Sequence, residues 1–254
     1  MSITDNIELA GIQQVSALVA MVLREMRQHA RPGMSARELD DYGGKILQDH
    51  GARSAPRAAY NFPGWTCISV NNEMAHGIPT ARKIFHEGDL INVDVSAELN
   101  GFWSDNGGSF VLGDDKHRLQ PLVNASREIL QLAINSIHSG VHISEVGRVV
   151  ETEARLRAYK VIKNLTGHGV GRSLHEEPHE IANCYNRFNE RRFGRSTVVA
   201  IETFISTHST MALTQRDGWT LVGDKGGYVA QHEHTIMVTD GAPVVLTAGN
   251  GIWD

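Results

Sequence analysis

The sequence predicts an α+β protein made of two similar halves around one site. Three observations carry this prediction: helix-start signatures in both halves, an Asn-Gly turn between two alternating segments, and His, Pro and acidic landmarks returning in the same order. In the first helix, Asp5 and Glu8 are spaced as a capping-box pair, and Ile12, Val15, Val19, Val22 and Met26 recur at helical spacing. Arg31-Pro32-Gly33 ends it. Ser35 and Glu38 form a second capping-box signature, opening a helix through Leu39, Tyr42 and Ile46 that stops near Gly51.

After a loop, residues 67–70 and 90–95 read as strands. Asn100-Gly101 predicts a two-residue hairpin turn, because both residues tolerate positive φ. Helices follow over about 118 to 137, with Pro121 in the first turn, and from Ile143 to about Ala158; the remainder from Val161 is strand and loop. Laid side by side, Gly33, Glu38 and Leu39 match Gly140, Glu145 and Val146, and His76-Gly-Ile-Pro79 matches His175-Glu-Glu-Pro178. The apolar run ending at Asp94 corresponds to the one ending at Glu202. The expectation is one domain, 1–254, with repeats over approximately 31–112 and 138–240 around a shared site.

Composition excludes several classes. A chain of 254 residues that is 41% hydrophobic can bury a large core. Its 24 basic and 29 acidic residues are interspersed, so no stable nucleic-acid partner is expected. Cys67 and Cys184 are too few for a disulfide framework, which fits a reducing compartment. The acidic, interrupted N-terminal segment resembles neither a signal peptide nor a membrane span, so a cytoplasmic protein without membrane attachment is expected.

If Asn100-Gly101 is a two-residue turn, Leu99 faces Phe102, Asp94 faces Gly107 and Asp105 faces Ser96. Asp94 and Asp105 then share one face as diagonal neighbours on adjacent strands. A lone aspartate commonly faces water, but Asp94 interrupts the apolar run 90–95, where a carboxylate needs a compensating charge. Glu202 follows Val198-Val199-Ala200-Ile201, and Glu233 precedes a strand-like run, so each acid also sits where core is expected. His168 lies among Gly167, Gly169 and Gly171. Four carboxylates and one imidazole suit two divalent ions, Mn²⁺, Fe²⁺, Co²⁺ or Zn²⁺, rather than a thiolate zinc site. His175-Glu-Glu-Pro-His179 matches H-E-x-x-H, but Pro178 is incompatible with the helix which that motif requires, so strand or loop is expected.

These residues lie in motifs that resemble the type I methionine aminopeptidases: Ala75-His76-Gly-Ile-Pro79, Ile91-Asn-Val-Asp94, Gly101-Phe-x-x-Asp105, Gly167-His168-Gly-Val-Gly171-Arg-x-x-His175-Glu-Glu-Pro178, Ile201-Glu202 and Gln231-x-Glu233-His234-Thr235. The resemblance implies the pita-bread (creatinase/aminopeptidase) fold, its two halves around a central antiparallel sheet, and removal of the initiator methionine of nascent proteins by a dinuclear metal site with a bridging hydroxide. It makes Asp94, Asp105, His168, Glu202 and Glu233 the metal ligands and His76, His175 and Glu202 the catalytic residues. His76 would contact the peptide nitrogen, His175 the oxyanion, and Glu202 would move protons. Tyr60, Phe62, Cys67 and Trp219 stand at the methionine-pocket positions, with His76 and His175 also on the substrate. A monomer is implied, and since neither an N-terminal zinc-binding extension nor a basic one is expected, ribosome contact is at most transient.

The sequence departs from the type I pattern at Thr203, where a proline is usual, and at Leu174, where an aromatic is usual. The segment 60–67 is one residue shorter, and the 34 residues between His168 and Glu202 leave no room for a type II insertion. An Xaa-Pro aminopeptidase or dipeptidase is the nearest alternative, since it uses the same five ligands, but length argues against it: those enzymes usually carry a sizeable extra N-terminal domain, and only one helical segment precedes the first repeat here. A non-catalytic relative would have lost ligands, and none is lost here.

Overall fold

The computed structural model describes residues 1–253. It opens with α1 (Asn6–His29), whose first turn is capped by Asp5 accepting the Glu8 N–H at 2.8 Å. The reciprocal half of the expected capping box is absent. The Glu8 carboxylate instead accepts from the Thr4 N–H and hydroxyl and pairs with Arg172 at 2.9 Å, because the incoming chain and a cation from a distant loop both reach it. By length and composition α1 could cross a membrane, which the sequence reading did not register. Here Ile12, Val15, Val19, Val22, Leu23 and Met26 are buried in the core, and truncating one such side chain to alanine costs about 2–5 kcal/mol.

In α2 (Ala36–Asp49) the capping box is complete, with Ser35 and Glu38 each accepting the other's backbone N–H. The segment read as a loop after it holds β1 (Arg53–Ser54) and the short helix α3 (Ala55–Tyr60), which carries Pro56 in its first turn and ends at Asn61 with φ 57°. Six residues are too few to display a 3.6-residue period.

Next come β2 (Cys67–Val70), β3 (Glu73–Ala75), β4 (Leu90–Leu99) and β5 (Phe102–Val111). Asn100 and Gly101, at φ 53° and 83°, form the two-residue turn, and the register pairs Leu99 with Phe102, Ser96 with Asp105 and Asp94 with Gly107. α4 (Gln120–Asn135), with Pro121 in its first turn, and α5 (Ser144–Leu156) follow. The chain continues through β6 (Lys160–Val161), β7 (Thr166–Gly169), β8 (Glu176–Ala182), β9 (Val198–Ser206), β10 (Ala212–Thr214), β11 (Leu221–Gly223), β12 (Val229–Met237) and β13 (Val244–Val245). His175 to His179 therefore enters a strand and not the helix that Pro178 argues against.

The main sheet runs β1-β4-β5-β12-β9-β7-β8, with β2 beside β4, β6 beside β9 and β13 beside β12, and every pairing is antiparallel. α1 packs on β4 and β5, and α4 on β9 and β12. Period-two alternation then divides each strand. In β4, Ile91, Val93, Val95 and Ala97 join the hydrophobic core, while Asn92, Asp94 and Ser96 occupy the opposite face. In β12, His232 meets Ser126 of α4 at 3.0 Å, so Glu233 points away from the helices. A small sheet, β10-β11-β3, packs with Met74, Ile162, Phe204, Leu221 and Val229 in a second cluster.

Candidate metal centre

Sheet register assembles the site. Directly opposed residues in antiparallel ladders project to the same face, and one such row runs Cys67, Asp94, Gly107, Glu233, Glu202 across β2, β4, β5, β12 and β9. Asp105 lies two residues from Gly107, and His168 pairs with Ala200, two residues from Glu202, so both join the same face. Five residues spread over 140 positions of sequence thus converge through strand pairing alone.

His168 Nε2 lies 3.9 Å from Asp105 Oδ2 and 4.0 Å from Glu202 Oε1, and Asp105, His168 and Glu233 bring ligand atoms within 4.8 Å of one another. Asp105, His168 and Glu233 are buried, whereas Asp94 and Glu202 keep a partly exposed face. Burial pushes the Asp94 carboxyl up to about 6, close enough to Asp105 to share a proton. Burial, then Glu233 and Asp94, pushes Asp105 well above the ordinary range; Glu202 and Glu233 rise for the same reasons. Burial and the neighbouring His175 lower His168 to about 3, so its ring is neutral. His168 Nδ1 lies 3.0 Å from the Gly169 carbonyl; donation there leaves the Nε2 lone pair facing the acids.

This donor set fits a multivalent cation. Asp105 Oδ1 and Glu233 Oε1 are buried without any hydrogen-bond partner, and an orphaned buried carboxylate oxygen carries its full desolvation penalty. Mutual repulsion among four carboxylates adds to that penalty, and divalent ions offset both.

A second polar row holds the acids in place. Gln231 donates to Glu233 Oε2 at 3.1 Å, Asn92 donates to Gln231 Oε1 at 2.7 Å, and the Gln231 N–H reaches the Ser109 hydroxyl at 2.9 Å. The Thr235 hydroxyl brackets the Asp105 backbone, donating to its carbonyl at 2.7 Å and accepting its N–H at 3.1 Å. A Cβ on Gly107 would lie 2.6 Å from Gln231, so this position stays open for that side chain. Sequence reasoning missed Asn92, Ser109 and Gly107 as site residues and quoted Gln231 without a role. Same-face spacing by two from Asp94 and Glu233 was the available signal.

The acids open into a cavity of about 100 Å³ lined by Pro56, Tyr60, Phe62, Cys67, His76, Asp94, Ser96, Asp105, His168, Leu174, His175, Glu202, Trp219 and Glu233, a volume of roughly three liquid waters. Every residue assigned a role from sequence lines it; Pro56, Ser96 and Leu174, the last named from sequence without a role, are additions. Phe62 and Trp219 meet edge to face at 5.2 Å, and Cys67 and Leu174 are buried in the wall. His76, at φ 52°, and His175 face solvent at the mouth. A larger cleft of about 510 Å³ lies on the helix side of the sheet around Arg27, Val123 and His232, with no acid in its lining among the described residues.

Comparison with known proteins gives this geometry a lineage. The profile of metallopeptidase family M24 matches residues 10–240. Methionine aminopeptidase 2 of Bacillus subtilis is 46% identical over 97% of this chain and 99% of its own. The crystal structure of methionine aminopeptidase from Thermotoga maritima superposes with a TM-score of 0.92 at 31% identity, covering 97% of this chain and 99% of that one. Prolidase from Pyrococcus furiosus shares the fold, with a TM-score of 0.76 at 18% identity over 96% of this chain and 65% of its own. The fold is therefore the pita-bread fold, and the chain belongs to metallopeptidase family M24, among its methionine aminopeptidases.

Proposed function

We propose that this enzyme removes the N-terminal methionine from new polypeptides as a type I methionine aminopeptidase holding two divalent ions. The observation that carries the reading is the single sheet face on which Asp94, Asp105, His168, Glu202 and Glu233 meet beside a small cavity walled by Phe62, Cys67 and Trp219. The type I reading is supported by the stretch from His168 to Glu202, which contains β8 and loop and no helix.

Those five residues would hold the ions, of which Mn²⁺, Fe²⁺, Co²⁺ and Zn²⁺ all suit mixed carboxylate and imidazole ligation. Bound there, divalent ions would make water a nucleophile at neutral pH and would polarise the scissile carbonyl. Glu202, with one face toward the cavity, takes and returns the proton. His76 engages the peptide nitrogen and His175 donates to the developing oxyanion. Tyr60, Phe62, Cys67 and Trp219 enclose an apolar side chain of methionine size. The substrate's free α-amine would take a ligand position beside these residues, which would make the reaction exopeptidic.

The chain is read as one catalytic domain with repeats over about 31–112 and 138–240. It works in the cytoplasm as a monomer, meeting nascent chains with at most transient ribosome contact. The test is methionine release from Met-Ala-Ser by metal-stripped protein, before and after addition of Mn²⁺ or Co²⁺, with Asp105→Ala as control. Metal-dependent release that the substitution abolishes is expected. Cleavage of Ala-Pro peptides instead would move the assignment to the proline-specific relatives.

A further inference from the structure

Tyr60 was assigned to the pocket for its ring, but its hydroxyl makes a contact that an apolar wall does not need. α3 ends at Tyr60, and the left-handed Asn61 turns the chain there, setting the phenol at the cavity mouth. The Tyr60 hydroxyl lies 2.6 Å from His175 Nδ1, with the two ring centroids 5.6 Å apart. The His175 ring also meets that of His168, centroids 4.0 Å apart and planes tilted by 47°. The Ser173 hydroxyl donates to the His175 carbonyl at 2.9 Å, which fixes the backbone from which the ring projects. The imidazole is thus held by its backbone, by a neighbouring ring and by one nitrogen.

A neutral imidazole carries one N–H, and the partner of one nitrogen decides which nitrogen bears it. The phenol has a single hydrogen to donate, and Nδ1 is its one recorded partner among the described residues. Phenol is also a much stronger acid than an imidazole N–H, with a pKa of about 10, so the shared hydrogen belongs to oxygen and Nδ1 accepts. His175 Nε2 has no hydrogen-bond partner among the described residues.

We propose that the Tyr60 hydroxyl is a positioning group that fixes His175 as its Nε2–H tautomer, presenting that N–H at the cavity mouth as the donor to the carbonyl oxygen under attack. The inference rests on the aminopeptidase reading above for what His175 does, but not for how its ring is held. In the opposite tautomer Nε2 would present a lone pair to a developing negative charge, and the interaction would change sign.

The test is the long-range ¹⁵N–¹H correlation pattern of His175 in Zn²⁺-loaded protein at neutral pH, in the wild type and in Tyr60→Phe. Phenylalanine keeps the ring and removes only the hydroxyl. The wild type is expected to show the Nε2–H pattern, and the variant a mixture in which Nδ1–H is populated. In parallel, kcat on Met-Ala-Ser falls by roughly tenfold or more while KM stays within about twofold, because the apolar wall survives. In a His175→Ala background Tyr60→Phe costs nothing further, since the two residues act as a unit. An Nδ1–H wild type, an unchanged tautomer in the variant, or an unchanged kcat despite a changed tautomer each overturns the proposal. Failure to cleave any methionyl peptide would instead sink the aminopeptidase reading, and the NMR comparison would still decide how His175 is held.

Discussion

The floor and the mouth of the cavity are made in different ways. The floor is four carboxylates on β4, β5, β9 and β12, strands with neighbours on both sides, where moving one side chain means moving a ladder. The mouth comes from ends and turns: Tyr60 closes a six-residue helix, His76 follows β3 at positive φ, His175 precedes β8, and Trp219 sits in the turn before β11. Floor residues are short and fixed, which suits an ion that tolerates little positional error. Mouth residues are aromatic rings and imidazoles on shorter supports, which suits a substrate that enters and leaves. The floor should therefore govern ion binding and stability, while the mouth divides: Trp219, an apolar ring, should govern affinity for the departing residue, and the imidazoles, with Tyr60 behind His175, should govern kcat.

The largest expected effect comes from removing the ions. The folded-state pKa of Asp94 is raised from 3.8 to about 6, so between those values the folded protein keeps a proton that the unfolded chain has released. Stability of metal-stripped protein is then present at low pH and lost as pH rises through this window. Asp105, Glu202 and Glu233 shift in the same direction. His232 and His234, lowered to about 3 by burial, act oppositely, losing stability as pH falls below the ordinary histidine value. Their contribution is common to stripped and loaded protein, so the informative quantity is the difference in Tm. That difference between Mn²⁺-loaded and stripped protein should widen from pH 5 to pH 7; parallel curves would mean the acids do not hold the ion.

Gly107→Ala attacks the floor without touching an acid. The added methyl would lie 2.6 Å from Gln231 and displace it from Glu233 and Asn92. Metal affinity and kcat should fall by roughly 10–100-fold, with a small change in KM. Isothermal titration with Mn²⁺ on stripped protein checks it, and unchanged affinity would show that Gln231 does not orient Glu233.

Legibility in the sequence followed the same division. The Asn100-Gly101 turn specifies a local register, and that register alone placed Asp94 and Asp105 on one face, as the ladder has it. Glu202, Glu233 and His168 stood out as polar residues in apolar or glycine-rich runs, but their approach to Asp94 depends on β5 meeting β12 and β12 meeting β9, pairings between distant segments that no turn signals. Motif resemblance supplied that link. α3 and the β10-β11-β3 sheet escaped because elements of three to six residues show no period. Asn92 and Ser109 looked like ordinary strand polar residues, since their importance lies in hydrogen bonds to Gln231, over a hundred positions away.

The smallest effect belongs to the mouth. Trp219 meets Phe62 edge to face at 5.2 Å and closes one wall, yet it contacts no floor acid through any recorded hydrogen bond or ring pair. Trp219→Leu keeps that wall apolar but shrinks the surface it would offer the departing side chain, and about 1 kcal/mol of lost apolar contact converts to a few-fold rise in KM for methionyl peptides. Because the wall touches the departing side chain alike in ground and transition states, kcat should hold. Steady-state kinetics on Met-Ala-Ser separates the two constants. A fall in kcat with KM constant would mean that the indole acts on the floor or on the imidazoles, and the division between those groups and an apolar wall that selects would have to be redrawn.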